Sequence, residues 1–117
     1  MENNVIQEKS KNFAIRIVNI HKYLSEDKHE YVLSKQLLKS GTSIGANIYE
    51  AKYGQTKGDF ISKMSIALKE ASETDYWLEI LVETDYITKE EYESIQSECK
   101  ELIKILTSIV RSTKGTT

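Results

Sequence analysis

Carboxylates three residues apart share one helix face, and Glu70 and Glu73 are such a pair. With Glu50 they form the set that could do acid–base work, which leaves a small-ligand-binding or hydrolytic protein as the alternative reading of the chain. No surrounding motif marks a substrate pocket. A second nucleophile class would need a thiolate, and Cys99 has no histidine near it in sequence; its spacing is that of an apolar core position, where a thiol acts as a small hydrophobe. As the single cysteine it cannot form an intramolecular disulfide, and a reducing compartment is expected.

Metal chemistry finds less support. A carboxylate-bridged di-metal bundle needs Glu-x-x-His on two helices and one further glutamate from each of the others. The chain has two histidines: Glu26 and His29 show the spacing once, at a turn, and His21 has no acidic residue three positions earlier. Neither a metal site nor a cofactor is expected. SGTSIGAN, Ser40–Asn47, has two glycines but no P-loop lysine and no preceding strand. Glycine costs about 1 kcal/mol against alanine inside a helix, so Gly41 and Gly45 imply an offsetting close approach of a neighbouring backbone. Lys100, Lys104 and Arg111 share one outer face, with Lys114 beyond them. They are the candidate nucleic-acid contact, although cations near a helix C-terminus also complement its dipole.

The elements that carry these residues follow from four capping signals, each a capping side chain followed three residues later by one able to reach back: Asn4 with Gln7, Asp27 with Glu30, Thr56 with Asp59, and Thr88 with Glu91. Each precedes an apolar stripe at spacings of three, four and seven. Helix 1, about Val5–Leu24, carries Ile6, Phe13, Ile17, Ile20 and Leu24. Helix 2, about His29–Tyr53, carries Leu33, Leu37, Ile44, Ile48 and Ala51. Helix 3, about Lys57–Glu83, carries Phe60, Met64, Ala67, Ala71, Leu78 and Leu81. Helix 4, about Lys89–Ser112, carries Ile95, Cys99, Leu102, Leu106 and Ile109. Short connections (Ser25–Lys28, Gly54–Gln55, Asp85–Ile87) make sequential helices antiparallel neighbours. The expectation is an all-α, antiparallel up-down-up-down four-helix bundle over residues 1–112, with a flexible tail over 113–117.

Composition agrees. The 117 residues suit one domain, the absence of proline allows long helices, and 29% charged against 39% hydrophobic residues suits amphipathic helices. A net charge of −2 argues against general nucleic-acid affinity. The charge is uneven, with nine basic and six acidic residues over 1–58 but seven and twelve over 59–117. The opening MENNVIQEKSKN has no signal-peptide h-region, and no membrane-spanning stretch follows, so a cytoplasmic protein without membrane contact is expected.

Two stripes remain after the core is assigned. On helix 2, Gln36, Ser40, Ser43, Asn47 and Glu50 form a polar stripe, either bonded along their own helix or joined in an interhelical network with Glu70, Glu73 and Arg16. On helix 3, Ile66, Trp77 and Ile80, with Tyr76 alongside, form a second apolar stripe roughly opposite the core one, and helix 1 turns Ile15 and Val18 away from its core. A monomer has no use for such a surface, so these residues are the expected contacts of a homo-oligomer.

Ser34–Leu81 resembles the bacterial four-helix-bundle family first described as encoded by intervening sequences inside 23S ribosomal RNA genes. The family pattern of a glutamine, an SIGAN-like segment, an EA pair, DF-x-x-K and EA-x-E-T-x-YWL stands here as Gln36, Ser43–Asn47, Glu50–Ala51, Asp59–Phe60 with Lys63, and Glu70–Leu78. SECKELIKILTSIV in helix 4 is similar to the family's last helix. The resemblance implies a four-helix bundle assembled as a homopentamer, with no established catalytic residues. A related branch, the accessory proteins of diversity-generating retroelements, works with a reverse transcriptase and nucleic acid through a basic surface, from which this chain differs in its mildly acidic balance. The expected function is therefore a non-enzymatic homo-oligomer, by that resemblance a pentamer, acting as a scaffold or RNA-associated accessory. Its partners would be itself and RNA or a nucleic-acid-handling protein.

Overall fold

The computed structural model describes residues 2–115, with side chains from Val5 onward. It is an antiparallel four-helix bundle of α1 (Glu2–Glu26), α2 (Leu33–Ala51), α3 (Lys57–Glu83) and α4 (Lys89–Gly115). The rod measures 47 × 21 × 20 Å. Among the described residues its helix backbones touch around a square, α1 on α2, α2 on α3, α3 on α4, and most lightly α4 on α1.

The apolar stripes close on one another as their periodicity requires. Ile6, Phe13, Ile17 and Leu24 meet Leu37, Ile44 and Ile48 across α1 and α2, while Met64, Ala67, Ala71, Leu78 and Leu81 meet Ile95, Cys99, Leu102 and Leu106 across α3 and α4. Ile20, Leu33 and Phe60 pack at the margin of this core as half-buried side chains. Alanines at 67 and 71 leave α3 room to approach α4, and the Cys99 thiol donates to the Ala71 carbonyl at 3.3 Å.

The glycines of α2 sit where α1 comes closest. A β-carbon at Gly41 would lie 2.7 Å from Ile17 Cγ2, and one at Gly45 would lie 3.4 Å from Ser10. The close neighbour at Gly41 is thus the Ile17 side chain and not the expected backbone, whereas at Gly45 the α1 backbone does come near, at the ordinary distance of Ser10 O.

Helix boundaries differ from the sequence expectation in three places. α1 already runs at Glu2, so Asn4 lies inside the helix; its side chain is outside the described residues. α2 begins at Leu33 and not near His29, because the α1–α2 connection spans 27–32 and His29 takes a left-handed φ of 56°. The expected Asp27–Glu30 box is replaced by Glu30 alone, whose carboxylate accepts from the N–H groups of Val32, Leu33 and Ser34 at 3.3, 3.1 and 2.8 Å. A long side chain ahead of the helix here does the work of a short cap. α4 continues to Gly115, past Ser112, while Thr116 and Thr117 are outside the described residues.

The other two caps form at the expected residues. Thr56 Oγ1 accepts from Asp59 N–H at 3.0 Å, while the Asp59 carboxylate takes the Gln55 N–H at 3.3 Å, one residue before the cap. Thr88 and Glu91 make the full reciprocal box, with bonds of 3.1 and 2.9 Å. α3 closes on Asp85 at φ 65°, with Tyr86 N–H reaching the Leu81 carbonyl at 2.9 Å and Asp85 N–H that of Val82 at 3.2 Å.

The Glu30 cap makes a first expected result: Glu30→Ala lowers stability by about 1 kcal/mol, within the roughly 0.5–2 kcal/mol of cap removal. Urea unfolding followed by circular dichroism measures it, and an unchanged midpoint would mean that water replaces the carboxylate without loss.

Candidate functional site

The sequence-marked residues distribute over the faces of the square rather than converging on one cleft. At 100° per residue, the α2 polar stripe and the second stripe of α3 fall side by side on the α2–α3 face. The α3 stripe therefore stands about a right angle from its own core stripe, not opposite it. Ile66 is 40% exposed, and Trp77 and Ile80 are half-buried, with Trp77 packed on the core margin. The Trp77 indole N–H donates to the Glu73 carboxylate at 3.0 Å, and Tyr76 meets its ring edge-on at 5.1 Å. Together they form a low ridge with an acidic flank.

The polar residues beside that ridge bond mostly along their own helices. Ser43 Oγ donates to the Lys39 carbonyl at 2.6 Å and Asn47 Nδ2 to the Ser43 carbonyl at 2.8 Å. Glu50 crosses to α3 by pairing with Lys63 at 2.7 Å. Gln36 is exposed and Glu70 is half-buried. Arg16 lies on the other side of the bundle, where it pairs with Glu98 and donates to Ser94 Oγ at 3.2 Å, so it joins α1 to α4 and not α2 to α3. A buried polar contact between α2 and α3 is Thr74 Oγ1 donating to Ser40 Oγ at 3.0 Å, and Thr74 was not singled out in the sequence. Its signal was a threonine at a core spacing of α3.

Of the three carboxylates proposed for acid–base chemistry, Glu50 pairs with Lys63 and Glu73 accepts from the Trp77 indole, while Glu70 lies one turn from Glu73 on the same face. Cys99 is fully buried, and desolvation, aided by the Asp75 charge, pushes its thiol up to about 12, the opposite of an activated nucleophile. Glu26 and His29 do not share a helix face; His29 Nδ1 lies 3.2 Å from Tyr31 OH, and His21 Nδ1 lies 3.2 Å from the Ser34 carbonyl. Among the described residues no group of three or more His, Cys, Asp or Glu could hold a metal ion. None of their helices is long and apolar enough to cross a membrane.

On the α3–α4 face, Lys100, Lys104, Arg111 and Lys114 are all exposed, while exposed Lys69 of α3, about 20° around the helix from Ile80, stands at the corner toward the α2–α3 face. Ser65, Ser72 and Thr107 lie among them. Between Ser62–Ser72 of α3 and Ser97–Lys114 of α4 this face carries no carboxylate. Of the hydroxyls among them, Ser72 Oγ donates to the Leu68 carbonyl at 3.2 Å and Thr107 Oγ1 to that of Ile103 at 2.7 Å. Further along the same face the sign reverses, where Tyr92 is held above its usual range by burial and by the Asp75 and Glu79 carboxylates.

The α1–α2 face holds an open groove of about 620 Å³, lined by Gln7, Glu8, Ser10, Lys11, Ala14, Thr42, Gly45, Ala46 and Tyr49. Ile15, 51% exposed, and half-buried Val18 follow Ala14 on α1 but do not line the groove. The sequence reading missed this groove as a unit. Its signal was the small residues at 10, 14, 42, 45 and 46, which leave a furrow where two helices meet.

Comparison with known proteins completes the description. The family profile described as 23S rRNA-intervening sequence protein matches residues 2–108. Among solved structures, the chain is 56% identical to a protein of unknown function from the S23 ribosomal protein family of Bacteroides thetaiotaomicron VPI-5482. That match covers 95% of this chain and 99% of the other, at a TM-score of 0.93. No curated protein matches.

Proposed function

This chain belongs to the 23S rRNA-intervening sequence protein family, and on that premise we propose that it is a non-enzymatic subunit of a cytoplasmic homo-oligomer, a pentamer by family resemblance, serving as a scaffold or RNA-associated accessory. The observation that carries this reading is the α3 ridge. Ile66, Trp77 and Ile80 with Tyr76 form apolar surface beside a core that is already closed, and apolar surface of that kind marks a protein contact. Glu50 is held by Lys63, Glu73 by the Trp77 indole and Cys99 is buried in the core, and none of these lines the α1–α2 groove, which weighs against catalysis, since nucleophile, base and binding cleft have to meet in one place.

Light scattering tests the assembly. The protein at tens of micromolar is expected to run as a multiple of its 13.4 kDa chain mass, and Trp77→Asp is expected to shift it to the monomer. A wild-type monomer, or an unchanged mass for a folded Trp77→Asp, overturns the reading.

RNA contact is supported by the carboxylate-free part of the α3–α4 face. Single-stranded RNA should bind at low salt with affinity falling as salt rises, and Lys100→Glu with Lys104→Glu should lower it at least tenfold and flatten the salt slope by about 2. Absence of binding at low salt removes the RNA half of the proposal and leaves the oligomeric half standing.

A further inference from the structure

Two exposed tyrosines stand at one end of the α1–α2 groove, and we infer that this groove holds single-stranded RNA, its bases stacked on Tyr49 and Tyr53 and its phosphates beside the lysines along the furrow. The inference rests on the RNA half of the reading above and adds a second contact surface, which works by stacking as well as by charge. Tyr49 is 58% and Tyr53 62% exposed, with ring centroids 5.5 Å apart and planes tilted by 60°, so neither ring covers the other. Lys52 Nζ lies 5.5 Å from the Tyr53 centroid, which puts a cation where the phosphate of a stacked nucleotide would pass. Every base has a π-face, so such a platform accepts a strand without reading its sequence.

The platform is continuous with the groove, because Tyr49 is part of its wall and Gly45 and Ala46 keep the floor beside that ring low. Charge along the furrow is positive on balance. Glu8 is the acidic side chain of the lining, and Lys11, three residues on, stands next to it on the same helix. Exposed Lys22 and Lys35 lie toward the far end, where His21 Nδ1 is 3.2 Å from the Ser34 carbonyl, and exposed Lys52 lies at the near end. Glu50 points away, toward α3, where Lys63 holds it at 2.7 Å. From Lys35 to Lys52 the furrow follows about 25 Å of α2, room for several nucleotides of an extended strand.

The groove favours ribose over deoxyribose. Thr42 Oγ1 donates its proton to the Leu38 carbonyl at 2.7 Å, so what it offers the groove is a lone pair. A 2′-hydroxyl can donate to that oxygen, and deoxyribose has nothing to put there.

Fluorescence anisotropy at low salt, with a labelled RNA strand of about eight nucleotides that cannot pair with itself, tests this. Tyr49→Ala with Tyr53→Ala is expected to weaken binding about tenfold or more without changing the salt slope, because rings and not charges are removed, whereas Tyr49→Phe with Tyr53→Phe keeps wild-type affinity. An abasic strand of the same length should bind the wild type and the alanine variant alike, and Glu8→Gln should tighten the hold on RNA. Full affinity of the alanine variant, with binding lost in Lys100→Glu plus Lys104→Glu, overturns the inference and leaves the RNA reading standing on the α3–α4 face. Equal affinity for the deoxy strand of the same sequence overturns the assignment to RNA. A changed oligomer mass for the folded alanine variant means that a second copy covers the tyrosines, and overturns the inference as well. Absence of RNA binding by the wild type removes both this inference and the RNA reading.

Discussion

Gly41→Leu is expected to lower stability by about 3 kcal/mol or more, at the upper end of overpacking costs. The reason is local and severe. A β-carbon alone at this position falls 2.7 and 2.8 Å from the two γ-carbons of Ile17, which is itself fully buried and β-branched, so it has no second rotamer to retreat to. Gly41→Ala gains helix propensity of about 1 kcal/mol but still meets Ile17, for a net loss of about 1 kcal/mol. Gly45→Ala is the contrast, because its β-carbon lands at 3.4 Å from Ser10, an ordinary contact, and the propensity gain leaves it neutral or up to about 1 kcal/mol more stable. Urea midpoints at one protein concentration measure all three. Combining Gly41→Ala with Ile17→Ala should cost less than the two singly; strict additivity would show that the two side chains do not compete for the same space.

Alkaline pH supplies the second large effect. The Cys99 thiol ionises near 9 in an unfolded chain but is pushed up to about 12 by burial in the bundle. Below pH 9 both states are protonated and the group contributes no pH dependence. Above it the unfolded chain loses a proton that the folded chain retains, so unfolding gains and stability falls. The slope attributable to this thiol comes close to 1.4 kcal/mol per pH unit at about pH 10–11 and fades as the folded thiol itself begins to ionise toward about 12. Cys99→Ala should begin about 1–2 kcal/mol less stable at neutral pH, from the small cavity, and then fall less steeply, because only the background of tyrosines and lysines remains. Parallel slopes for the two proteins between pH 9.5 and 11.5 would show that the thiol ionises as freely in the fold as out of it.

How much was legible in the sequence depended on whether a feature belonged to one helix or to two. The core stripes, the Thr88–Glu91 box and the extent of α3 are properties of consecutive residues, and spacing alone was enough for them. The start of α2 was misplaced because Asp27-x-x-Glu30 satisfies the capping pattern as written. Only the overrun of α1 to Glu26 and the left-handed His29 shift the duty to Glu30. Arg16 was read toward α2 and α3 because a helical wheel shows that it borders the core stripe, but not which neighbour lies on that side. The hand of the bundle decides this, and here it puts Arg16 beside Glu98. The same ignorance hid the α1–α2 groove.

The placement of charge along the rod has a consequence for encounter rather than for contact. The half holding residues 2–14, 43–70 and 103–115 carries nine basic and five acidic side chains, and the other half seven and thirteen. Opposite net charges at the two ends of a 47 Å body make it an electric dipole directed along its axis. In the field of a polyanion such a body feels a torque at distances where no side chain yet touches, and it turns its termini and α2–α3 end forward as it diffuses in. Copies arranged with their axes parallel add their moments instead of cancelling them. An assembly of that kind would approach nucleic acid with one rim leading, and the fraction of productive collisions would be decided before the first ion pair formed.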